Sequence, residues 1–270
     1  MRFAAVLIFA SLPATALPVA AQDRIASHCI ALARGAETVV PVALGDGLEQ
    51  DQVLIRYLDH ASFAIVAEDG SVAVTDYTGY TGTQDIVPDV VTMNNAHSTH
   101  WTSDLDPRIP NVLRGWGDAA PADHRLDLGG MLVRNVTTDT RGPFGEGARA
   151  DGNSIFIFEA GGLCIGHLGH LHQIPSAEQY AAIGRLDVVM VPVDGGYTMR
   201  LQDMAGVVKR LRYSVVIPMH WFSTASLEAF LAAMSDDFAI VETGGPEITL
   251  SRDDLPGSPT ILLLEPGYLD

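Results

Sequence analysis

Nine histidines occur in a chain of 270 residues, and five of them fall in two short stretches. The first stretch is Asn94-Asn95-Ala96-His97-Ser98-Thr99-His100 and the second is His167-Leu168-Gly169-His170-Leu171-His172. Each comes directly after an apolar run, and His220 follows a third, Val215-Val216-Ile217-Pro218-Met219. Neutral imidazole binds zinc and other borderline divalent ions at about 2.0–2.1 Å. Spacings of two and three residues in a loop let neighbouring rings turn towards one ion. The repetition points to His97, His100, His170 and His220 as ligands, against the alternative of four ordinary loop histidines. His28 and His124 have no clustered partner and read as solvated or hydrogen-bonded side chains. Of His167 and His172, at most one is expected to reach the ion.

The elements that must position these rings change character along the chain. Val53–Leu58 and Ser62–Val66 are β-rich runs, and the turn Asp69-Gly70 predicts a hairpin with Val72–Thr75. Ile86–Thr92, Leu132–Val136, Ser154–Glu159 and Leu163–Ile165 read as further strands. Ser176 is the expected N-cap of a helix through Ala182. After it, strands at Val188–Val193 and Val215–Met219 alternate with helices at Leu201–Leu211 and Leu227–Met234. Strands first and strand–helix alternation later predict an α/β fold with two sheets flanked by helices. Tyr77–Asp85 and Ser98–Asp127, polar and rich in Gly and Pro, are expected as loops over one rim.

Met1–Arg2 followed by an uncharged apolar run to Leu17 and the small residues Val19-Ala20-Ala21 has the layout of a secretory leader, with an uncleaved anchor as the alternative. Residues 1–21 are therefore expected to be a signal peptide, and 22–270 a single domain exported to the periplasm or secreted. No later apolar run is long enough to cross a bilayer, so stable membrane insertion after cleavage is not expected. The formal charge is −17, which repels phosphate backbones and argues against nucleic acid as a partner. A small-molecule substrate remains. Cys29 and Cys164 allow one intramolecular pairing, and a buried free thiol is an equal alternative at Cys164.

Taken together, Asp59-His60-Ala61-Ser62-Phe63, Thr92–His100, His167–His172, Pro192-Val193-Asp194-Gly195-Gly196-Tyr197-Thr198-Met199 and Ile217-Pro218-Met219-His220 resemble the metallo-β-lactamase superfamily. The branch they are most similar to is that of ascorbate-6-phosphate lactonase-like metal-dependent hydrolases. The resemblance implies a four-layer αβ/βα sandwich with a metal site at the sheet edges, one or two ions, usually zinc, and water activated for hydrolysis. His60 and Asp76 match positions near the site, as further ligands or as partners of the ligands. Asp194 and Tyr197 could line the pocket, and Tyr197 could donate to a substrate oxyanion.

The metal motif departs from the family pattern His-x-His-x-Asp-His. Asn95 stands where the first His would be, and Thr99 where the Asp would be; both remain possible contributors, as does His172. The next family His has its nearest counterpart at Thr138-Asp139, where Asp139 could substitute as a catalytic carboxylate. The bridging Asp is replaced by His170. A carboxylate bridges two cations, whereas a neutral imidazole has one lone pair to give, so one zinc, or one other divalent ion, is expected. Two functions stay open. One is an exported hydrolase of an ester, lactone, amide or phosphoester. The other is a non-catalytic metal- or small-ligand-binding relative that lost the dinuclear centre.

Overall fold

The computed structural model describes residues 27–30, 47–82, 86–141, 148–211 and 213–267. The expected leader, 1–21, lies outside the described residues. In chain order the elements are β1 (Val53–Asp59), β2 (Ser62–Ala67), β3 (Val72–Val74), β4 (Val90–Met93), β5 (Asn111–Arg114), β6 (Arg125–Asp127), β7 (Met131–Arg141), β8 (Ala148–Ala160), β9 (Leu163–His167), α1 (Ala177–Ile183), β10 (Val188–Pro192), α2 (Leu201–Leu211), β11 (Val215–Met219), α3 (Thr224–Met234), β12 (Ala239–Glu242), β13 (Glu247–Leu250) and β14 (Thr260–Leu263). They form a six-stranded sheet, β13-β1-β2-β3-β4-β5, and an eight-stranded sheet, β12-β14-β11-β10-β9-β8-β7-β6. This is the expected α/β sandwich.

The two sheets face each other across one core. Val53, Ile55 and Tyr57 of β1 and Phe63 and Ile65 of β2 meet Phe156 and Phe158 of β8, Ile165, Met190 and Ile217, all buried. The alternate residues Ile155 and Ile157 turn to the other face, under Ile183 of α1, Met204 and Val208 of α2, and Phe230 and Met234 of α3. β8 is thus buried on both faces, which is why Ser154–Glu159 reads as a continuous apolar run rather than an alternating one. Each fully buried large apolar side chain contributes about 1.5–3 kcal/mol of transfer free energy. Ser176 caps α1 through a capping box with Gln179. On the outer face of the first sheet, Leu58, Val74, Val91 and Met93 are covered by Ile109 with Val87, Trp101, Leu105 and Trp116. Among the described residues that cover is loop, not helix.

Two elements correct the sequence reading. β5 and β6 lie inside Ser98–Asp127, expected to be a loop. They are edge strands of three or four residues, too short for a period-2 signal. The strand expected at Ile86–Thr92 is shorter at its start, β4 running from Val90 to Met93. A cleft lined by Leu105, Val112, Arg114, Trp116 and His124 opens between the β5 and β6 edges and holds none of the clustered histidines.

Cys29 and Cys164 are joined in a disulfide. The short segment it anchors also binds Glu159, through Ser27 Oγ and the backbone N–H of His28. Glu159 in turn accepts from Arg134 at 2.8 Å. The Arg134 guanidinium also donates to the carbonyls of Ala182 and Ile183 at 2.8 Å, satisfying the C-terminal end of α1. No described helix is long and apolar enough to cross a membrane.

Candidate metal centre

Parallel pairing aims the chain at one edge. β3, β4 and β5 run parallel in the first sheet, and β9, β10 and β11 run parallel in the second. The loops after their carboxyl ends carry Asp76, His97 and His100, His170 and His172, Asp194, and His220; the β1–β2 turn adds His60. Ligand sites in α/β proteins gather where such ends converge. His60, Asp76 and His220 all have φ near +40° to +60° (43°, 41° and 60°). L residues seldom adopt this region, and such strain concentrates at functional sites.

The four histidines expected as ligands are brought together with His60 and His172. Ring centroids lie 5.5 Å apart for His97 and His170, 4.7 Å for His100 and His170, 5.0 Å for His100 and His220, and 5.2 Å for His170 and His220. His60 sits 4.0 Å from His220. Two overlapping trios have one ring nitrogen each within 4.8 Å of the others: His60, His100 and His220, and His97, His100 and His170.

Carboxylates orient two of the rings. Asp76 Oδ2 lies 2.5 Å from His100 Nδ1, with both side chains fully buried. Asp194 Oδ2 lies 3.1 Å from His220 Nδ1, within ion-pair reach though off the line of a straight hydrogen bond. Asp194 is fixed by the backbone N–H groups of Gly196, Tyr197 and Thr198 and by the Thr198 hydroxyl. Burial alone would raise Asp194, but the contact with His220 and the bonds from Thr198 and Gly196 outweigh it and hold the carboxyl well below its usual range. Burial pushes Asp76 up to about 7. Burial and then the neighbouring rings lower His60 to about 3 and His100 and His170 well below the ordinary value. His60, His100 and His170 are therefore held in the neutral form, the form that ligates.

The outward nitrogens of His100 and His220 then meet: Nε2 lies 3.0 Å from Nε2. When both rings carry their hydrogen on Nδ1, towards Asp76 and Asp194, both Nε2 atoms are lone pairs, and two lone pairs do not sit at that distance unaided. Either one ring carries its hydrogen on Nε2 and donates to the other, or a cation lies between them. Two nitrogens on one tetrahedral zinc at about 2.0–2.1 Å are separated by roughly 3.3–3.4 Å, a small adjustment from this spacing. His60 Nε2 is buried beside them without a partner. A divalent ion held by His60, His100 and His220 would resolve both features, so the donor set fits such an ion, with the carboxylate–histidine pairs that metal sites favour.

Asp139 and Tyr197 fare differently. Asp139 accepts the backbone N–H of Asp151 at 3.0 Å, across the bulge in the β7–β8 pair, and belongs to neither trio. Tyr197 is 69% exposed. Its ring is 5.2 Å edge-on from Phe222, whose ring is 5.1 Å from His60 and 5.4 Å from His220. Tyr197 thus stands at the mouth. Asn95 forms a bridge with Asn153, and the Thr99 hydroxyl is 3.1 Å from His97 Nδ1. His167 is held at both nitrogens, by the Ala61 carbonyl at 2.7 Å and by Asn94 Nδ2 at 3.1 Å, and is structural.

Sequence reasoning missed Asn94, whose backbone N–H binds Asp76 while its amide binds Ser154 and His167, tying the two sheets together behind the site. A Cβ on Gly169 would fall 2.3 Å from that amide, and its φ is +58°, so glycine is required before His170. The part played by Asp194 in orienting His220 was also missed. Its sole sequence signal is the Asp-Gly-Gly turn directly after an apolar strand.

A sandwich of two sheets with a histidine centre at their carboxyl edges defines a metallohydrolase-type fold. The chain belongs to the beta-lactamase superfamily, whose domain model matches residues 54–220. It is 26% identical over 208 residues, 64% of this chain and 86% of the relative, to a UPF0173 metal-dependent hydrolase of Methanosphaera stadtmanae. A solved structure from Thermotoga maritima, named as a Zn-dependent hydrolase of the metallo-beta-lactamase superfamily, aligns with TM-score 0.58 and 26% identity, covering 79% of this chain and 98% of that one. The metallo hydrolase Igni18 of Ignicoccus hospitalis shares the fold at TM-score 0.53 and 18% identity, over 74% of this chain and 99% of its own. The relatives agree on the coarse activity, metal-dependent hydrolysis.

Proposed function

We propose that this protein is an exported, single-ion metal-dependent hydrolase of a small ester, lactone or amide, with zinc as the ion. The observation that carries the reading is the pair of Nε2 atoms of His100 and His220, 3.0 Å apart and each backed by a carboxylate. The buried, partnerless Nε2 of His60 supplies the third ligand. Because His100 Nδ1 is taken by Asp76, its one remaining lone pair serves one ion, and the two trios that share His100 cannot both be filled. Three ligands leave a fourth position open, the arrangement of hydrolytic rather than structural sites. The exposed His97, its ring 6.1 Å from that of His100, belongs to the trio left unfilled. A bound divalent ion would supply a water acidic enough to be deprotonated near neutral pH and would polarise the acceptor oxygen.

The chain's own residues do the rest. Asp76 and Asp194 aim the ligand rings, and the Tyr197–Phe222 pair offers an aromatic surface beside the open position. That surface and the net charge of −17 favour a neutral, partly apolar acyl substrate over a polyanion. The Cys29–Cys164 bridge supports export, since such bonds persist in oxidising compartments.

A second reading, a metal binder without turnover, has one observation in its favour: Thr99 and His170 replace two carboxylates of the family pattern. The test is elemental analysis with turnover of ester, lactone and amide probes by wild type, His100→Ala and His220→Ala. One zinc per chain with turnover that both variants lose is expected. Two ions per chain overturn the single-ion claim, and tight metal without turnover on the whole panel establishes the binder.

A further inference from the structure

His170 and His172 form a chain of hydrogen bonds whose direction is fixed at its outer end. The backbone N–H of Arg141 points at His172 Nδ1 from 2.6 Å. A backbone amide only donates, so His172 Nδ1 is the acceptor. The neutral His172 ring then carries its hydrogen on Nε2. That Nε2 lies 2.7 Å from His170 Nδ1, so His170 Nδ1 accepts in turn and the hydrogen of His170 sits on Nε2. The carbonyls of Gly196, Tyr197 and Thr198 accept the Arg141 guanidinium, and the Tyr197 carbonyl, with its second lone pair, also lies within reach of a donor on His172. Ligation of an ion by His170 Nε2 would reverse both tautomers. It would leave the Nδ1–H of His172 facing the N–H of Arg141 at 2.6 Å, a contact between two donors.

We propose that His170 stays outside the coordination of the ion and presents its Nε2–H to an oxygen of the bound substrate, with His172 and the Arg141 backbone as positioning groups. The inference rests on the hydrolase reading for the identity of the ligand, and replaces His170 as an expected metal ligand. Its ring stands edge-on at 4.7 Å from His100 and lies 5.2 Å from His220, beside the nitrogens that hold the ion. A neutral N–H there is a preorganised donor for the oxyanion that develops when an acyl carbon is attacked. The position that the family pattern gives to a bridging carboxylate here carries a hydrogen-bond donor. Gly169, directly before it, has φ +58° and no room for a Cβ against Asn94.

Two measurements test it. Long-range ¹H–¹⁵N spectra of the metal-free protein are expected to give His170 and His172 as Nε2–H tautomers; an Nδ1–H tautomer at His170 overturns the proposal. Zinc titration of His170→Asn is expected to keep one equivalent with affinity within about threefold of wild type, whereas kcat falls by about 10²-fold with KM nearly unchanged, the size seen when one oxyanion donor is removed. Loss of zinc affinity by tenfold or more in that variant, as expected for His220→Ala, makes His170 a ligand and overturns the proposal. An inactive wild type with the expected tautomers and zinc isotherm would sink the hydrolase reading and leave His170 outside the coordination.

Discussion

Asp76 Oδ2 lies 2.5 Å from Nδ1 of His100 in full burial, and the other nitrogen of the same ring faces His220 Nε2 at 3.0 Å. The pair forms a line along which one proton can be exchanged for one cation. Without metal, Asp76 is pushed up to about 7, so below that pH it holds a proton and the His100 hydrogen bridges to His220. An ion between the rings displaces that hydrogen. Zinc uptake at pH 6 is therefore expected to release about one proton per ion, and affinity to climb by up to about tenfold per pH unit below 7. Calorimetry in buffers of different ionisation heat measures the release. Asp76→Asn is expected to abolish it and to cost 10- to 100-fold in affinity; unchanged release in the variant would assign the proton elsewhere.

Stability of the metal-free protein should rise with pH between about 4 and 6.5. Burial first, then His220 and His100, lower His60 to about 3, and burial first, then Arg141, lowers His172 to about 4. Between those values and the ordinary 6.5 the unfolded chain binds protons that the folded chain refuses, so acid draws the equilibrium towards unfolding. Asp76, raised to about 7, has the opposite sign over 3.8 to 7, but it is one group against several, since His100 and His170 are lowered as well. Urea midpoints at pH 4.5, 5.5 and 6.5 without metal should increase in that order. A flat or falling series contradicts the neutral-histidine cluster.

Reduction should loosen the fold without emptying the site. Cys29 and Cys164 are 135 positions apart, so the bridge constrains a long stretch of the unfolded chain. Losing it is expected to cost about 2–5 kcal/mol. Cys29→Ser with Cys164→Ser should lower the melting temperature by several degrees while keeping one zinc per chain. Loss of metal together with the bridge would couple the two regions.

The aromatic rim should govern binding rather than chemistry. Phe222→Ala and Tyr197→Ala remove exposed rings that touch His60, His220 or each other. Each is expected to raise KM for substrates with apolar acyl groups by about tenfold, leaving kcat and zinc content nearly unchanged. A fall in kcat in Tyr197→Ala, with KM constant, would instead return Tyr197 to the oxyanion role that its place in the sequence suggested.

Much of this protein is written in local pattern. Apolar runs such as Ser154–Glu159 and Val188–Val193 mark buried strands because a central strand must be covered on both faces, and the Ser176 cap marks where α1 begins. The histidines that follow strands announce a site because parallel strands deliver their carboxyl ends to one edge. Other features belong to the tertiary structure alone. β5 and β6 pair at the sheet edges with too few residues to leave a period. Asp139 lies near a strand end like the histidines, yet a bulge turns it to the Asp151 amide. The orphaned nitrogen of His60, the grip of Asp194 on His220, and the direction of the Arg141–His172–His170 chain arise between residues tens to more than a hundred positions apart. Residue type and spacing state which atoms can bind a proton or a metal. Which of them has its other nitrogen occupied depends on contacts that exist only once the sheets have closed.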